Sequence, residues 1–160
     1  MKRLTDPIAQ LMQEHDDALL QLKLLNNAVR SFSTEGYTAR NFRQISAALR
    51  FIEEEVSVHN HKEEAALFPV LERYVEGPTR IMRKDHKELK KGFTKLSSAV
   101  AKVDARRDSF SAIKNLTTVA RDVVHMFVNH IHKENHILFP LVQRFLSKDE
   151  LREIAKKMIE

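Results

Sequence analysis

The strongest constraint on the fold of this 160-residue chain is an internal repeat with a constant offset. Six residue pairs are identical at a separation of 71 positions: His15/His86, His59/His130, Glu63/Glu134, Leu67/Leu138, Phe68/Phe139 and Pro69/Pro140. Two halves with the same residue pattern are expected to fold alike and to pack with approximate two-fold symmetry. Because the repeated polar residues are His and Glu, which both bind metal ions, the repeat predicts one symmetric site with two ions.

The composition favours helices and limits the chemistry of such a site. Only three Gly and four Pro occur, and long stretches are rich in Leu, Ala, Lys, Glu and Arg, which are good helix formers. Cysteine is absent, so the sequence provides no disulfide, thiol nucleophile, zinc–thiolate site or iron–sulfur cluster. A metal ion would therefore be held by imidazole and carboxylate groups.

Helix signals and apolar spacing divide the sequence into four long helices and one short helix. Asp6 followed by Pro7 is a typical helix start, and the segment 33–37 has the composition of a loop. Ser147 and Glu150 form a capping box before the short helix. The predicted helices cover about residues 6–31, 38–74, 79–103, 109–145 and 151–158.

Two local features are predicted inside these helices. Thr79 is expected to cap the third helix, after the break at Gly77 and Pro78. Pro69 and Pro140 fall within apolar helical pattern, and each should kink its helix because proline has no backbone N–H.

The repeat predicts an all-α fold. It also includes apolar positions at the same offset, among them Leu25/Leu96, Ala28/Ala99 and Val29/Val100. Two duplicated αα-hairpins, about residues 6–75 and 79–146, would pack as an up-down four-helix bundle with polar sites projecting inward. We expect a single domain over residues 1–160, with the short C-terminal helix added to the bundle.

The predicted metal ligands follow from the spacing inside each repeat. His and Glu at positions 59 and 63, and again at 130 and 134, are four residues apart, so each pair shares a helix face with Cβ atoms roughly 5–6 Å apart. A glutamate can also bridge two ions through its two oxygens. The histidines at 15 and 86 would each add an imidazole from a separate helix. The predicted ligands are His15, His59, Glu63, His86, His130 and Glu134. Iron and manganese suit these ligands, zinc also fits, and six protein ligands for two ions leave positions open for a small molecule.

A second repeated histidine pair, His61 and His132, competes for the same role. His61 lies about 200° around the helix from His59, so the two side chains cannot both point inward. A glutamate follows four residues after His59 and after His130, but not after His61 or His132. We therefore assign His59 and His130 as ligands and place His61, His132 and His136 on the outer face.

Other polar residues near the motifs have less defined roles. Glu55 could accept a hydrogen bond from a ligating imidazole or could be solvated, and the sequence leaves both alternatives open. Glu64 becomes Asn135 in the second half and is expected to be peripheral. Glu54 and His125 are not expected to contact metal.

Charge and hydropathy bear on partners and location. The formal net charge is +5, with basic residues concentrated in the segment 80–91. Asp85 and Glu88 dilute this charge and no nucleic-acid-binding motif accompanies it, which favours a solvated helix face. The N-terminal segment has no apolar signal region, and no apolar run reaches membrane-spanning length. We expect a cytoplasmic protein without nucleic-acid or membrane partners.

The motifs together resemble those of hemerythrin-like, HHE cation-binding domains, over nearly the whole chain. His-x-x-x-Glu-Glu-x-x-Leu-Phe-Pro covers residues 59–69, His-x-x-x-Glu-Asn-x-x-Leu-Phe-Pro covers residues 130–140, and single histidines stand at 15 and 86. The resemblance implies a four-helix bundle with a non-haem di-iron centre, bridged by two glutamates and often by an oxo or hydroxo group. It also implies a ligand for each position: one iron on His15 and His59, the other on His86 and His130, with Glu63 and Glu134 between them.

The number of histidines separates subgroups within this family. Oxygen-carrying hemerythrins have a fifth histidine four residues from the one in the third helix, but here Met82 and Lys90 stand at that distance from His86. The set of four His and two Glu is more similar to di-iron proteins that repair iron–sulfur clusters after nitric-oxide or oxidative damage. Those proteins often carry an additional N-terminal domain with cysteines, and this sequence has no cysteine.

One main functional hypothesis and two alternatives follow. The main hypothesis is a non-haem di-iron protein that binds or reacts with O2, NO or peroxide, in the redox or nitrosative stress response or in the maintenance of iron centres. If it is an enzyme, it is a di-iron oxidoreductase. The first alternative is a metal-dependent sensing or oxygen-binding module without turnover, and the second is a purely structural bundle. No residue is assigned a catalytic role.

Overall fold

The chain folds into four long helices and a short fifth helix, and the computed structural model describes residues 6–160. Helix α1 is Pro7–Glu35. Helix α2 consists of Ala39–Phe51, Ser57–Lys62 and Phe68–Leu71, joined without a break by π-helical turns at Ile52–Val56 and Glu63–Leu67. Helix α3 is Gly77–Ala105. Helix α4 consists of Phe110–Lys133 and Phe139–Phe145 with a π-helical turn, Glu134–Leu138, between them, and helix α5 is Lys148–Met158.

The packing of these helices confirms the predicted fold class. Helix α1 packs against α2 and α4, and α3 packs against α4 and α2, as in an up-down four-helix bundle. Helix α5 packs against α1 and against the second π-helical turn of α2. No strand occurs within residues 6–160.

The first helix is longer than the sequence predicted. It begins as expected, because the Asp6 carboxylate accepts hydrogen bonds from the backbone N–H groups of Ile8 and Ala9. It ends at Glu35 and not near residue 31, since Phe32 is buried in the bundle and keeps the last turn helical. Gly36, with φ of 81°, then terminates the helix in a backbone conformation that other residues rarely adopt.

The predicted role of Thr79 is wrong. Helix α3 begins at Gly77, so Thr79 lies inside its first turn. Its hydroxyl donates to the Glu72 carboxylate at 2.8 Å or to the backbone carbonyl of Glu76 at 2.9 Å. Thr79 is fully buried and connects the end of α2 to the start of α3.

The two internal prolines coincide with wide helical turns. Each follows a π-helical turn, in which the amide of Phe68 or Phe139 donates to the carbonyl five residues earlier, on Glu63 or Glu134. In a regular α-helix the proline ring would clash with the carbonyl four residues before it. The wider turn accommodates the ring while the helix continues, and it begins in both halves at the glutamate predicted to bind metal.

Two apolar clusters fill the bundle on either side of a polar layer. Along α1, Leu11 belongs to one cluster and Ala18 to the other, and the buried His15 stands between them. Helix α5 contributes Ile154 and Met158 to the cluster that contains Leu11. The polar layer is therefore closed by apolar side chains at both ends.

Candidate metal centre

The six predicted ligands lie together in this polar layer, one histidine on each long helix and one glutamate on α2 and on α4. Their burial is nearly complete: the glutamates at 63 and 134 have 0% exposure, and the most exposed of the set, His59, has 7%. They form two groups that share both glutamates, one with His15 and His59 and one with His86 and His130. In each group the candidate ligand atoms lie within 4.8 Å of one another, and no other such cluster occurs in residues 6–160.

Each carboxylate contacts imidazoles from both halves of the repeat. Oε1 of Glu63 lies 3.3 Å from Nε2 of His59 and 3.3 Å from Nε2 of His86. Oε1 of Glu134 lies 2.9 Å from Nε2 of His15, 3.3 Å from Nε2 of His130 and 3.9 Å from Nε2 of His59. Each glutamate therefore lies between the two halves of the repeat, where its carboxylate can bridge them.

Most of the inward-facing atoms have no hydrogen-bond partner. Across the described part of the chain, six buried side-chain atoms are unpaired, and all six belong to this centre: Nε2 of His59, His86 and His130, both carboxylate oxygens of Glu63, and Oε2 of Glu134. Buried polar atoms without a partner are uncommon in folded proteins because their desolvation is uncompensated. Nitrogen and oxygen lone pairs that converge in this way fit divalent or trivalent cations held by imidazole and carboxylate.

A ring of outer hydrogen bonds orients the imidazoles. Every Nδ1 faces an oxygen on the neighbouring helix, so the contacts run once around the bundle, from α1 to α2, α2 to α3, α3 to α4 and α4 back to α1. The four pairs are Glu14–His59 at 2.8 Å, Glu64–His86 at 3.0 Å, Asp85–His130 at 3.0 Å and Asn135–His15 at 2.7 Å. Carboxylate and amide oxygens accept hydrogen bonds, so each Nδ1 donates and its Nε2 faces the centre.

Two lysines complete the outer carboxylate contacts in the same symmetric way. Lys62 donates to Glu14 at 2.9 Å, and Lys133 donates to Asp85 at 2.8 Å. The two lysines are equivalent in the repeat, as are the two acids. Each lysine holds one carboxylate in position beside an imidazole.

The carboxylates of the centre shift the imidazole pKa values. Burial lowers the pKa of His59, but the negative charges of the nearby Glu63 and Glu134 and the hydrogen bond to Glu14 outweigh burial and hold that pKa well above its usual value. The pKa of His130 rises to about 9, because Glu134 and Asp85 outweigh the opposing effect of burial. Without metal, these imidazoles are therefore protonated near neutral pH, and a binding metal ion would displace their protons.

The outer carboxylates are shifted in the opposite direction. Burial raises the pKa of Glu14, but hydrogen bonds from His59 and Lys62 outweigh it and lower the pKa to about 2. The pKa of Asp85 is also lowered, because Lys133 and His130 outweigh burial. Both acids therefore carry a negative charge next to an imidazole at neutral pH.

The competing histidines lie where the sequence predicted. His61, His132 and His136 are exposed, and the rings of His132 and His136 stack on the outer face of α4 at 5.6 Å. His125 is likewise exposed and does not approach the centre. Of the two neighbouring histidines on α2, His59 is therefore the one that the packing buries, and its role as a ligand stays a prediction.

The outer acceptors were the main omission of the sequence interpretation. Glu55 is exposed, and His59 is paired with Glu14 instead. Glu64, expected to be peripheral, accepts a hydrogen bond from His86. The repeat itself held a signal for Glu14 and Asp85, because both are acidic residues directly before a repeated histidine.

Comparison with known proteins agrees with this fold. The family model for the hemerythrin HHE cation-binding domain matches residues 6–142, so the chain belongs to this family of metal-binding helical proteins.

Several curated bacterial proteins are similar to the chain over most of its length. An iron–sulfur cluster repair protein YtfE of Yersinia pestis (strain Pestoides F) is 27% identical over 141 residues, which are 86% of this chain and 63% of that protein. The protein of the same name from Yersinia pseudotuberculosis serotype O:1b (strain IP 31758) is 26% identical with the same coverage. The chain thus spans less than two thirds of the length of these relatives. No helix among the described residues is long and apolar enough to cross a membrane.

Proposed function

We propose that this chain is a non-haem di-iron protein whose centre binds or reacts with O2, NO or peroxide. His15 and His59 would hold one iron, His86 and His130 the other, with Glu63 and Glu134 between them; an oxo or hydroxo bridge is part of the same proposal. The observation that carries the proposal is the set of six buried, unpaired atoms that face one another in the polar layer. Their desolvation would be compensated by cations bound between them.

The donor set supports iron among the metals that fit. Imidazole nitrogens and carboxylate oxygens suit iron and manganese, and zinc also accepts them. Iron would supply redox chemistry and affinity for small ligands at coordination positions that the six side chains leave open. The protein's own contribution is to hold the ligands, to fix the imidazole tautomers through the Nδ1 hydrogen bonds, and to exclude bulk water by the two apolar clusters.

Maintenance of iron centres or protection against nitrosative and oxidative stress is the role that we propose for this chemistry. The relatives are named as iron–sulfur cluster repair proteins, which supports this role over oxygen transport. The positions four residues from His86 also argue against an oxygen carrier with a fifth histidine. Met82 is buried but offers only a thioether, and the Lys90 side chain is exposed.

Anaerobic purification with metal analysis and absorption spectra tests this proposal. We expect about two iron ions per chain and a spectral change on addition of O2 or NO, because two groups of ligands share the glutamates. One metal ion or none per chain, or spectra that stay the same with both gases, would contradict it.

A sensing or oxygen-binding module without turnover is the second candidate. The burial of these unpaired side-chain atoms favours it, because bound metal would stabilise the folded bundle strongly. It predicts a large loss of thermal stability on chelation and no turnover of any small oxidant. Equal melting temperatures with and without metal would exclude this candidate.

A cytoplasmic location and the absence of nucleic-acid partners stay predictions from the sequence.

A further inference from the structure

Two histidines on the outer face of α4 form a close pair that is not part of the candidate metal centre. The rings of His132 and His136 are 5.6 Å apart between their centroids, and their planes differ by only 13°. Both side chains are exposed to solvent. Their ring nitrogens make no hydrogen bond or ion pair within residues 6–160, whereas the exposed His125 accepts a hydrogen bond from the amide of Asn129 at 3.3 Å. The nitrogens of the pair are therefore free to bind a ligand.

The backbone between these two histidines aligns their rings. In a regular α-helix four residues turn through about 400°, so the second side chain stands about 40° past the first. His136 lies in the π-helical turn Glu134–Leu138, whose hydrogen bonds span five residues and which therefore holds more residues per turn. The offset between the two side chains becomes smaller as a result. The rings of His132 and His136 thus stand nearly one above the other along α4, in agreement with their near-parallel planes.

Two imidazoles with this spacing can bind one metal ion through one nitrogen each. Zinc–imidazole bonds are about 2.0–2.1 Å long, and exposed side chains can rotate to bring both nitrogens to that distance. Imidazole suits zinc, copper and nickel, whereas magnesium, calcium and manganese prefer oxygen ligands. No third His, Asp or Glu joins this pair in a compact cluster within the described part of the chain. Water would therefore complete the coordination of the ion.

His125 lies on the same face of α4 but is too distant to share this ion. It precedes His132 by seven residues, which corresponds to about 10 Å along the helix axis. Its Nε2 is also occupied by the hydrogen bond from Asn129. His125 is therefore a single exposed histidine on the same helix and provides a matched control for the pair.

The sequence repeat provides the pair in only one half of the protein. His61 is the equivalent of His132, but Ala65 stands at the position equivalent to His136. Both His61 and Ala65 are exposed, and Ala65 lies in the corresponding π-helical turn, Glu63–Leu67. The first half thus has the same backbone arrangement and only one of the two imidazoles. The difference between the halves is a single side chain, which can be changed by mutation.

We propose that His132 and His136 form a second metal site, on the surface of α4, for a divalent ion that prefers imidazole, such as zinc or copper(II). Both ligands belong to one helix and face solvent, whereas the buried centre draws its residues from four helices. A bound ion would tie the two histidines together across the π-helical turn that begins at Glu134. The proposal does not rest on the proposed function, because it requires neither iron nor the six buried residues.

Retention on an immobilised-zinc column tests this site, because the resin reaches only histidines on the surface. The full-length protein without an affinity tag should be retained at neutral pH, and His132→Ala and His136→Ala should each elute at a much lower imidazole concentration. His61→Ala and His125→Ala remove single exposed histidines and should elute like the wild type. Failure of the wild type to bind, or an equal loss in all four variants, would overturn the proposal.

The repeat also allows the site to be moved to the other half of the protein. Ala65→His in the His132→Ala background should restore retention on the zinc column, because it completes the same four-residue spacing with His61 in a π-helical turn. Ala65→Gln in the same background is the control, since it adds a polar side chain without an imidazole. Retention that neither variant restores, or that both restore equally, would show that the paired imidazoles do not bind the metal.

Anomalous diffraction from crystals soaked in zinc locates the ion directly. A peak is expected at about 2.0–2.1 Å from one nitrogen of each ring, and it should be absent in His136→Ala. Calorimetric titration with zinc should show one more binding site per chain in the wild type than in His136→Ala. Zinc in the buried centre alone, or equal numbers of sites in the two proteins, would contradict the proposal. Zinc at His132 and His136 of a protein that binds no iron would refute the proposed function and leave the surface site established.

Discussion

The hydrogen bond at Nδ1 decides what each histidine of the centre can do. An imidazole has one nitrogen for a proton and one for a metal ion, and an acceptor oxygen on the neighbouring helix fixes the choice. Glu14, Glu64, Asp85 and Asn135 provide these oxygens, so Nε2 faces inward in all four cases. The outer residues are thus as much part of the centre as the ligands.

Substitution of the two neighbouring histidines of α2 should have opposite outcomes. His59→Ala should lower the metal content, because an inward-facing imidazole next to both glutamates is removed. His61→Ala is the matched control, since this side chain is exposed on the other face of the same helix. Metal analysis after identical purification measures both. Loss of metal from His61→Ala with retention in His59→Ala would mean that the assignment of the ligands on α2 is wrong.

Removal of an outer carboxylate should weaken metal binding without removing a ligand. Asp85→Asn should lower metal affinity by about 10- to 100-fold, because His130 loses a charged acceptor that orients and polarises its ring. Competition with a chelator of known affinity measures the change. Asp16→Asn is the control, since it makes the same change beside another candidate ligand on an exposed side chain. Equal losses in both variants would assign the effect to overall charge and not to the hydrogen bond.

At the scale of elements, two of the three π-helical turns in the described residues coincide with the centre. A π-helical turn begins at each glutamate of the centre and ends before Phe68 or Phe139. The wide turn allows Glu63 and the following Leu67 and Phe68 all to be buried. Helix α5 closes the end of the bundle next to these turns, with Ile154 and Met158 in the apolar cluster below the centre.

The stabilising effect of α5 should come from its apolar face and not from its ion pairs. Ile154→Ala should lower the free energy of unfolding by about 2–5 kcal/mol, because Ile154 has 0% exposure and its removal leaves a cavity. Arg73→Ala, which breaks the exposed pairs with Glu150 and Glu153, should have little effect. Chemical denaturation of the metal-free protein measures both changes. A larger loss for Arg73→Ala than for Ile154→Ala would reverse this interpretation.

At the scale of the whole molecule, the four helices depend on one another through the centre. Each helix provides one imidazole and one outer acceptor, and each acceptor serves the next helix around the bundle. When no metal is bound, the positive charge of the protonated imidazoles balances the negative charge of the two buried glutamates. Bound metal ions would supply this positive charge instead. The same protons therefore affect both the stability of the metal-free protein and its affinity for metal, and these two quantities change in opposite directions with pH.

The metal-free protein should lose stability as the pH rises. The pKa of His130 is raised from 6.5 to about 9 in the folded state, so its contribution is fully present below about pH 6.5 and is lost as the pH rises through about 9. The shift corresponds to a loss on the order of 3 kcal/mol. Denaturant unfolding in the presence of a chelator, from pH 6 to pH 10, measures it, and His130→Gln should flatten the profile. Metal affinity should increase over the same range, and stability that is constant or rises with pH would contradict the expected proton balance.

Much of the architecture could be predicted because the sequence repeat specifies two halves with the same pattern of residues. Identical residues at one offset predicted two similar hairpins, and the four-residue spacing of His and Glu chose His59 over His61. The end of α1 and the start of α3 were predicted wrongly, because the burial of Phe32 and of Thr79 depends on packing across helices. The role of Glu64 was also missed, since its partner His86 is close in space only after α2 and α3 pack together.

The sequence by itself determined the all-α bundle, the duplicated hairpins and the six residues of the polar layer, because each depends on spacing within a helix or on the repeat. Only the tertiary structure decided how these residues differ from one another. It paired His15 with an amide and His86 with a carboxylate. Such differences arise between side chains on different helices, whose distances the helical period does not fix.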